Sequence, residues 1–350
     1  MKGILRKLAQ GFELTQEDVD EVISGIKEDR FPATQVAGFL MGLLMKGPTT
    51  SEIAAIARAM RRVCVPIAPR VDGDLTDTCG TGGGLTTFNV STANALLSAA
   101  AGIRIAKHGS RSISASSGSA DVLEALGIPV DLEPSQAERL IEDAGFSFLY
   151  APNFHPVMMK VFGPEHDLGI KTIFFTIIGP LINPADAKRH VLGVYQPQLV
   201  DQVGEVAIEL GFRHIIVVHG VDGVDEISLL GETMVVEVKD GSLRRYTITP
   251  EDFGMKRCTI EEIKGGDPQY NARTIQDIFA GKETGPKLDM LLLNAAATFV
   301  VADKAGSFEE GIEMARETIE SGRAMAKLEE IREISRRING NVPMPTISYN

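Results

Sequence analysis

Asp77-Thr78-Cys79-Gly80-Thr81-Gly82-Gly83-Gly84-Leu85-Thr86-Thr87-Phe88-Asn89-Val90-Ser91-Thr92 is a glycine-rich run that opens an alanine-rich helix near Ala93. A phosphate approaches backbone amides closely only where side chains are absent, and a helix start adds free N–H groups and the positive end of a dipole. Thr87, Asn89, Ser91 and Thr92 add donors that need no net positive charge. The run is not a Rossmann fingerprint by spacing, and it lacks the lysine that follows the final glycine of a Walker loop. Taken alone, its glycines are as readily a tight turn, with Ser91 or Thr92 as a helix cap.

On either side of this run the grammar differs. Downstream of Pro69, short β-like runs such as Ile103-Arg104-Ile105-Ala106 and Ile215-Ile216-Val217-Val218 end in glycine-rich loops followed by helix formers, the pattern of an α/β domain. Upstream, helical periodicity dominates. Thr15 is a cap before Val19, Val22, Ile23 and Ile26; Pro32-Ala33-Thr34 opens a second stretch ending near Lys46-Gly47-Pro48; Thr50 or Ser51 caps a third. The second stretch is apolar nearly all round at Phe39-Leu40-Met41-Gly42-Leu43-Leu44-Met45, which places it in a core or against a partner subunit and favours a homodimer. Residues 308–338 read as helix. The expected organisation is α/β with a small helical module, 1–68 completed by about 162–186, joined to a larger α/β domain, 69–161 and 187–350.

Composition narrows the function. Of 350 residues, 44% are hydrophobic and 23% charged, the balance of a folded globular chain. A formal net charge of −12 gives no global attraction for a nucleic-acid backbone, so an anionic ligand must be held by local devices. Cys64, Cys79 and Cys258 have neither disulfide-framework nor zinc spacing. No run approaches the roughly 20 apolar residues needed to span a bilayer, and no signal-peptide pattern opens the chain. A cytoplasmic protein without nucleic-acid or membrane partners is expected.

The glycine run is followed in order by Lys107-His108-Gly109-Ser110-Arg111-Ser112-Ile113-Ser114, Ser117-Gly118-Ser119-Ala120-Asp121, His155-Pro156, Gly179-Pro180-Leu181-Ile182-Asn183-Pro184 and His219-Gly220-Val221-Asp222-Gly223-Val224-Asp225-Glu226. This ordered set resembles the anthranilate phosphoribosyltransferase family along nearly the whole chain. The resemblance implies a helical domain joined to an α/β domain, an active site in the cleft between them, a homodimer through the helical parts, Mg²⁺ as cofactor, and phosphoribosyl pyrophosphate and anthranilate as substrates. It assigns donor binding to Gly80, Gly83, Gly84, Thr87, Asn89, Val90, Ser91, Thr92, Lys107, His108, Gly109, Ser110 and Ser119. It assigns metal binding to Ser91, Asp225 and Glu226, and acceptor contacts to Gly80, Ser110, His155 and Gly179.

These assignments make chemical sense. Loss of pyrophosphate leaves positive character on the anomeric carbon and negative charge on the leaving group, which positioned donors and Mg²⁺ stabilise. Adjacent acids such as Asp225 and Glu226 supply the hard oxygens that magnesium prefers, and Lys107 is a point charge for a phosphate. An aromatic amine is already neutral at pH 7, so no obligatory catalytic base is assigned.

Four positions depart from the family pattern. The glycine loop is shorter and lacks its usual aspartate; Ser110 replaces an asparagine; Ser116 replaces a lysine; and residues 163–169 carry no arginine for the anthranilate carboxylate. A buried carboxylate without a matched donor is costly, which nominates Lys160, His166 or Lys171 as replacement, with Met158 and Met159 near an aromatic pocket. The alternatives are a transferase or nucleoside phosphorylase of this fold with another aromatic or heterocyclic acceptor, and a non-enzymatic nucleic-acid-binding relative.

Overall fold

The computed structural model describes residues 1–111 and 116–340. Ser112, Ile113 and Ser114 of the Lys-His-Gly motif lie outside the described residues.

Four helices open the chain: α1 (Lys2–Ala9), α2 (Gln16–Lys27), α3 (Ala33–Lys46) and α4 (Thr50–Val63). Thr15 caps α2 as expected, its hydroxyl accepting from Asp18 N while Asp18 reaches back to Thr15 N. The cap of α4 is Thr49 rather than Thr50 or Ser51, because the reciprocal acid must stand three residues on, and that acid is Glu52. Glu52 is fully buried, where it also accepts from Leu14 N and pairs with Lys46 at 2.6 Å. The helix α1 had no counterpart in the sequence reading.

The helix Pro156–Leu168 then returns to pack on α2 and α3, so the helical layer is rejoined at Pro156 instead of at 162. Its Val157, Met158 and Val161 share an apolar core with Val22, Phe39 and Leu40. The stretch read as one helix over 308–338 is two, Phe308–Glu320 and Arg323–Ile338, broken at Gly322 in the left-handed region with φ 78°.

The rest forms a mixed seven-stranded sheet: β1 (Thr76–Asp77), β2 (Ile105–Gly109), β3 (Phe146–Tyr150), β4 (Arg189–Gly193), β5 (His214–Gly220), β6 (Thr233–Lys239) and β7 (Ser242–Ile248). The order is β3-β2-β1-β4-β5-β6-β7, parallel from β3 to β5 and antiparallel at β6 and β7. After β1 the chain winds outward to β2 and β3, then returns to lay β4 on the other side of β1. Between β1 and β4 the connections diverge, and a crevice opens at the carboxyl ends of the strands, the usual ligand position in such sheets. The helix Gln198–Glu209 and α4 cover one face with the helical core, and α5 (Val90–Ala100) and Pro286–Val301 lie in the core of the other. Among the described residues no helix is long and apolar enough to cross a membrane.

Candidate active site

The loops after β1, β2, β4 and β5 meet at this crevice around a cavity of about 710 Å³. Gly83, Ser91, Lys107 and Glu226, distant in sequence, all line it.

Backbone proximity explains the glycines. Thr81 N donates to Gly193 O and Leu85 N to Gly223 O, so the glycine loop is stitched to the ends of β4 and β5. A Cβ on Gly193 would collide with the carbonyl oxygen of Asp225, and one on Gly84 would meet Asp225 Oδ1 at 2.5 Å. Gly82 and Gly83 have φ values of 64° and 93°, a region that side chains disfavour.

Lys107 is the buried cation of the site, 1% exposed. Among the described residues its hydrogen-bond partners are neutral hydroxyls, Thr78 Oγ1 and Ser91 Oγ, each at 3.4 Å. Burial pushes its ammonium below the usual range, opposed by Cys79, Asp77 and Glu226. Asp77 organises the strand ends: Oδ1 accepts from Thr78 N, Cys79 N and His108 N, and Oδ2 from Asn183 Nδ2 at 2.7 Å.

Opposite stand Asp225 and Glu226. Glu226 Oε2 accepts from Thr87 Oγ1 at 2.9 Å, and the Ser91 N–H at the start of α5 also points to its carboxylate. Burial raises both carboxyls above their ordinary range; for Glu226 the neighbouring Asp225 adds to the rise, whereas the Gly82 N–H holds Asp225 down. Adjacent half-buried acids that face a cavity and resist ionisation fit a hard divalent cation, which would relieve their charge. Among the described residues no cluster of three or more His, Cys, Asp or Glu could hold a metal, so an ion held by this pair would need further ligands from water or a phosphate, as magnesium accepts.

The other end of the cavity is formed by Tyr150, Met158, Met159, Phe162, Phe174 and Phe175, with Lys171 at its edge. Phe162 and Phe175 meet edge to face at 5.5 Å. Phe174–Ile178 is a widened helical turn in which Ile178 N donates to Ile173 O at 2.8 Å, a five-residue span that pushes the phenylalanines toward the cavity. Glu165, in the segment where the family pattern has an arginine, is buried and accepts from Thr172 N.

Of the donor residues expected from sequence, Gly80, Gly83, Asn89, Ser91, Lys107, His108, Gly109, Ser110 and Ser119 line the cavity; Gly84, Thr87, Val90 and Thr92 do not. Gly84 serves close packing and Thr87 supports Glu226. Val90 and Thr92 are fully buried, the Thr92 hydroxyl without a hydrogen-bond partner among the described residues. The cap position of α5 belongs to Asn89, in the left-handed region at φ 63°, and not to Ser91 or Thr92. Its side chain bridges loops instead of capping, with Nδ2 donating to Ser117 O at 3.2 Å and Oδ1 accepting from Asn271 Nδ2 at 2.7 Å.

Of the acceptor residues, Gly80, Ser110, Gly179 and Lys171 line the cavity, whereas His155, Lys160 and His166 do not. Lys160 is held on the far side of its helix by Lys27 O and Asp29. His166 is exposed, 3.8 Å from Asp167. His155 lies behind His108, edge to face at 5.0 Å, with both ring nitrogens buried and the Ile182 backbone beside the ring. His108 Nδ1 donates to Gly179 O at 3.0 Å, and burial lowers the basicity of both rings, so each is neutral at pH 7.

Sequence reasoning missed Asp77, Gly193, Arg111 and Asn294 as parts of the site. A glycine closing a β-like run was the available signal for Gly193. Arg111 lines the cavity over the Tyr150 ring while pairing with Glu124 and Asp121. Asn294 comes from a helix more than a hundred residues downstream of the glycine loop, which no local pattern reveals.

Residues 2–64 match the helical bundle domain and residues 72–325 the a/b domain of the glycosyl transferase family, so fold and site define a two-module glycosyl transferase. The chain is 45% identical over 332 residues to anthranilate phosphoribosyltransferase of Petrotoga mobilis, covering 95% of this chain and 96% of that one. The Haloarcula marismortui enzyme is 47% identical, with 95% and 99% covered. Among solved structures, anthranilate phosphoribosyltransferase from Thermus thermophilus superposes with a TM-score of 0.89 at 40% identity, covering 95% of this chain and 99% of that one. The Saccharomyces cerevisiae enzyme in complex with PRPP and Mg gives 0.87 at 28% identity, with 96% and 97% covered. This chain belongs to the anthranilate phosphoribosyltransferase family.

Proposed function

We propose that the chain transfers the 5-phosphoribosyl group of phosphoribosyl pyrophosphate to the amine of anthranilate, giving N-(5-phosphoribosyl)anthranilate and pyrophosphate in tryptophan biosynthesis. One observation carries the reading: a buried lysine and a half-buried acidic pair face the same cavity, whose far wall is aromatic. The bond from the anomeric carbon to the pyrophosphate oxygen breaks with its electron pair leaving on pyrophosphate, a C–N bond forms, and the amine proton passes to solvent or to the departing pyrophosphate. Lys107 and the amides of the 80–83 loop hold the phosphate charge, supported by the α5 start and the hydroxyls of Ser91 and Ser119. Asp225, Glu226 and Ser91 would hold Mg²⁺, which would supply charge neutralisation for the leaving group. Phe162, Phe174, Phe175 and Met158 orient the acceptor ring, and Lys171 meets its carboxylate in place of an arginine.

Purified protein with Mg²⁺ and phosphoribosyl pyrophosphate is expected to consume anthranilate, measured as loss of its fluorescence. Turnover of another aromatic amine with anthranilate untouched would reassign the acceptor and leave the donor assignment standing. Leu44 and Met45, 38% and 77% exposed on α3, support a homodimer through the helical module, checked by light scattering. The free thiols Cys64, Cys79 and Cys258 suit a reducing, cytoplasmic setting.

A further inference from the structure

Asp225 and Glu226 lie in the irregular segment after β5, where no strand pairing fixes the backbone. Adjacent half-buried acids of like charge repel, so something must keep this segment from turning them away. Within the segment, Ser228 Oγ donates to Asp222 at 2.7 Å and Ser228 N to Thr233 Oγ1 at 3.0 Å, both local clips. The next peptide toward the acids is gripped from outside. Ile227 N donates to Asn294 Oδ1 at 3.0 Å, and Asn294 Nδ2 donates back to Ile227 O at 2.9 Å and to Met290 O at 2.9 Å. Asn294 is 4% exposed and lines the cavity.

The clamp extends to α5. Asn94 Nδ2 donates to Asn294 O at 3.1 Å and to Thr298 Oγ1 at 2.8 Å, while Ser98 Oγ donates to Asn94 Oδ1 at 3.0 Å. Asn94 sits on the same helix as Ser91, within one turn of it. A continuous chain of buried hydrogen bonds therefore runs from the helix that carries Ser91 to the segment that carries Asp225 and Glu226. Residues that orient metal ligands without touching the metal typically change its affinity by about 10–100-fold when removed.

We propose that Asn294 is a positioning residue of the magnesium site: it locks the Ile227 peptide so that both carboxylates face the cavity, and through Asn94 it fixes their separation from Ser91. This rests on the assignment of Asp225 and Glu226 to magnesium. Asn294→Ala removes both arms of the clamp, and Asn94→Leu cuts the link to α5 while leaving the clamp intact.

The test is calorimetric titration of the magnesium complex of phosphoribosyl pyrophosphate into each variant, together with hydrogen exchange of a peptide spanning 224–229. Thr318→Ala, which removes a part-buried hydroxyl bond to Met314 O in the helix packed against Pro286–Val301, controls for general destabilisation of that helix pair. Asn294→Ala is expected to weaken donor binding at least tenfold and to speed exchange in that peptide. Asn94→Leu is expected to weaken binding by a smaller factor, and Thr318→Ala to change neither. The Michaelis constant for anthranilate stays within twofold throughout. If Asn294→Ala does not fold, Asn94→Leu decides: unchanged donor binding in that folded variant overturns the proposal. Unchanged binding in a folded Asn294→Ala overturns it as well. Should Asp225→Asn and Glu226→Gln also leave donor binding and its magnesium dependence untouched, the metal assignment itself is what has failed.

Discussion

The two ends of the cavity are built on opposite plans. The donor end is made of backbone: loops that touch through glycines, a helix start, and a few buried charged groups each held by several hydrogen bonds. The acceptor end is made of side chains, aromatic rings and methionines on one helix and one widened turn, with Met159 half exposed and Lys171 at the rim. Backbone contacts tolerate almost no substitution, because an added methyl group meets a carbonyl that cannot move alone. Side-chain walls can be redrawn residue by residue. A cavity divided in this way can hold a constant donor while its acceptor wall is redrawn; the departure in 163–169 falls at the acceptor end, and the shortened glycine loop is a departure at the donor end.

The contrast breaks most easily at Gly193. Gly193→Ala should drive the Asp225 carbonyl out of place and lower kcat/KM for phosphoribosyl pyrophosphate about a hundredfold or more, since displacements near 1 Å cost that much. A variant with normal donor kinetics would mean that the loop contact is slack. Next in size, Glu226→Gln should raise the magnesium concentration for half-maximal rate about 10–100-fold with an unchanged Michaelis constant for anthranilate. Lys171→Ala should do the reverse, raising that constant about tenfold, the loss of a bond of about 1.4 kcal/mol, with donor kinetics intact. Lys160→Ala and His166→Ala should leave both constants within about twofold, because one is an exposed pair with Asp29 and the other points to solvent.

The smallest effect is on stability. The acidic pair titrates above the usual carboxylate range, near about 6 and about 8. A carboxyl raised in the folded state stabilises the fold while protonated, and that contribution is lost as pH rises through the raised values. Without magnesium and donor, Tm should therefore fall by a few degrees as pH rises from about 4, the ordinary carboxylate value, to about 8, measured by calorimetry. Glu226→Gln should flatten the fall, and magnesium with phosphoribosyl pyrophosphate should cancel it.

The same division governs what the sequence discloses. The donor end is legible because its requirements are local: Gly80, Gly83 and Ser91 follow a short strand and open a helix, and Lys107 and Glu226 each end or follow a β-like run. The four donor residues that fall outside the cavity, Gly84, Thr87, Val90 and Thr92, are their neighbours, which support the loop from behind. At the acceptor end, nearness in sequence misleads. Met158 and Phe162 are one helical turn apart on the cavity face, which turns Lys160 to the opposite side and carries His166 past the mouth. Asn294 and Gly193 are invisible for a third reason, since their roles exist only once distant segments have met.

Strand order also dictates a schedule for making the molecule. β1 finds one neighbour within about thirty residues, but its other neighbour, β4, leaves the ribosome more than a hundred residues later, and such distant parallel pairing is slow to form. Until then the growing chain carries an unfinished central strand. That strand is two residues long, Thr76–Asp77, and so offers an intruding peptide almost no length to pair with. The brevity of the innermost strand thus protects the newborn protein from aggregation at the place where its ligands will later bind.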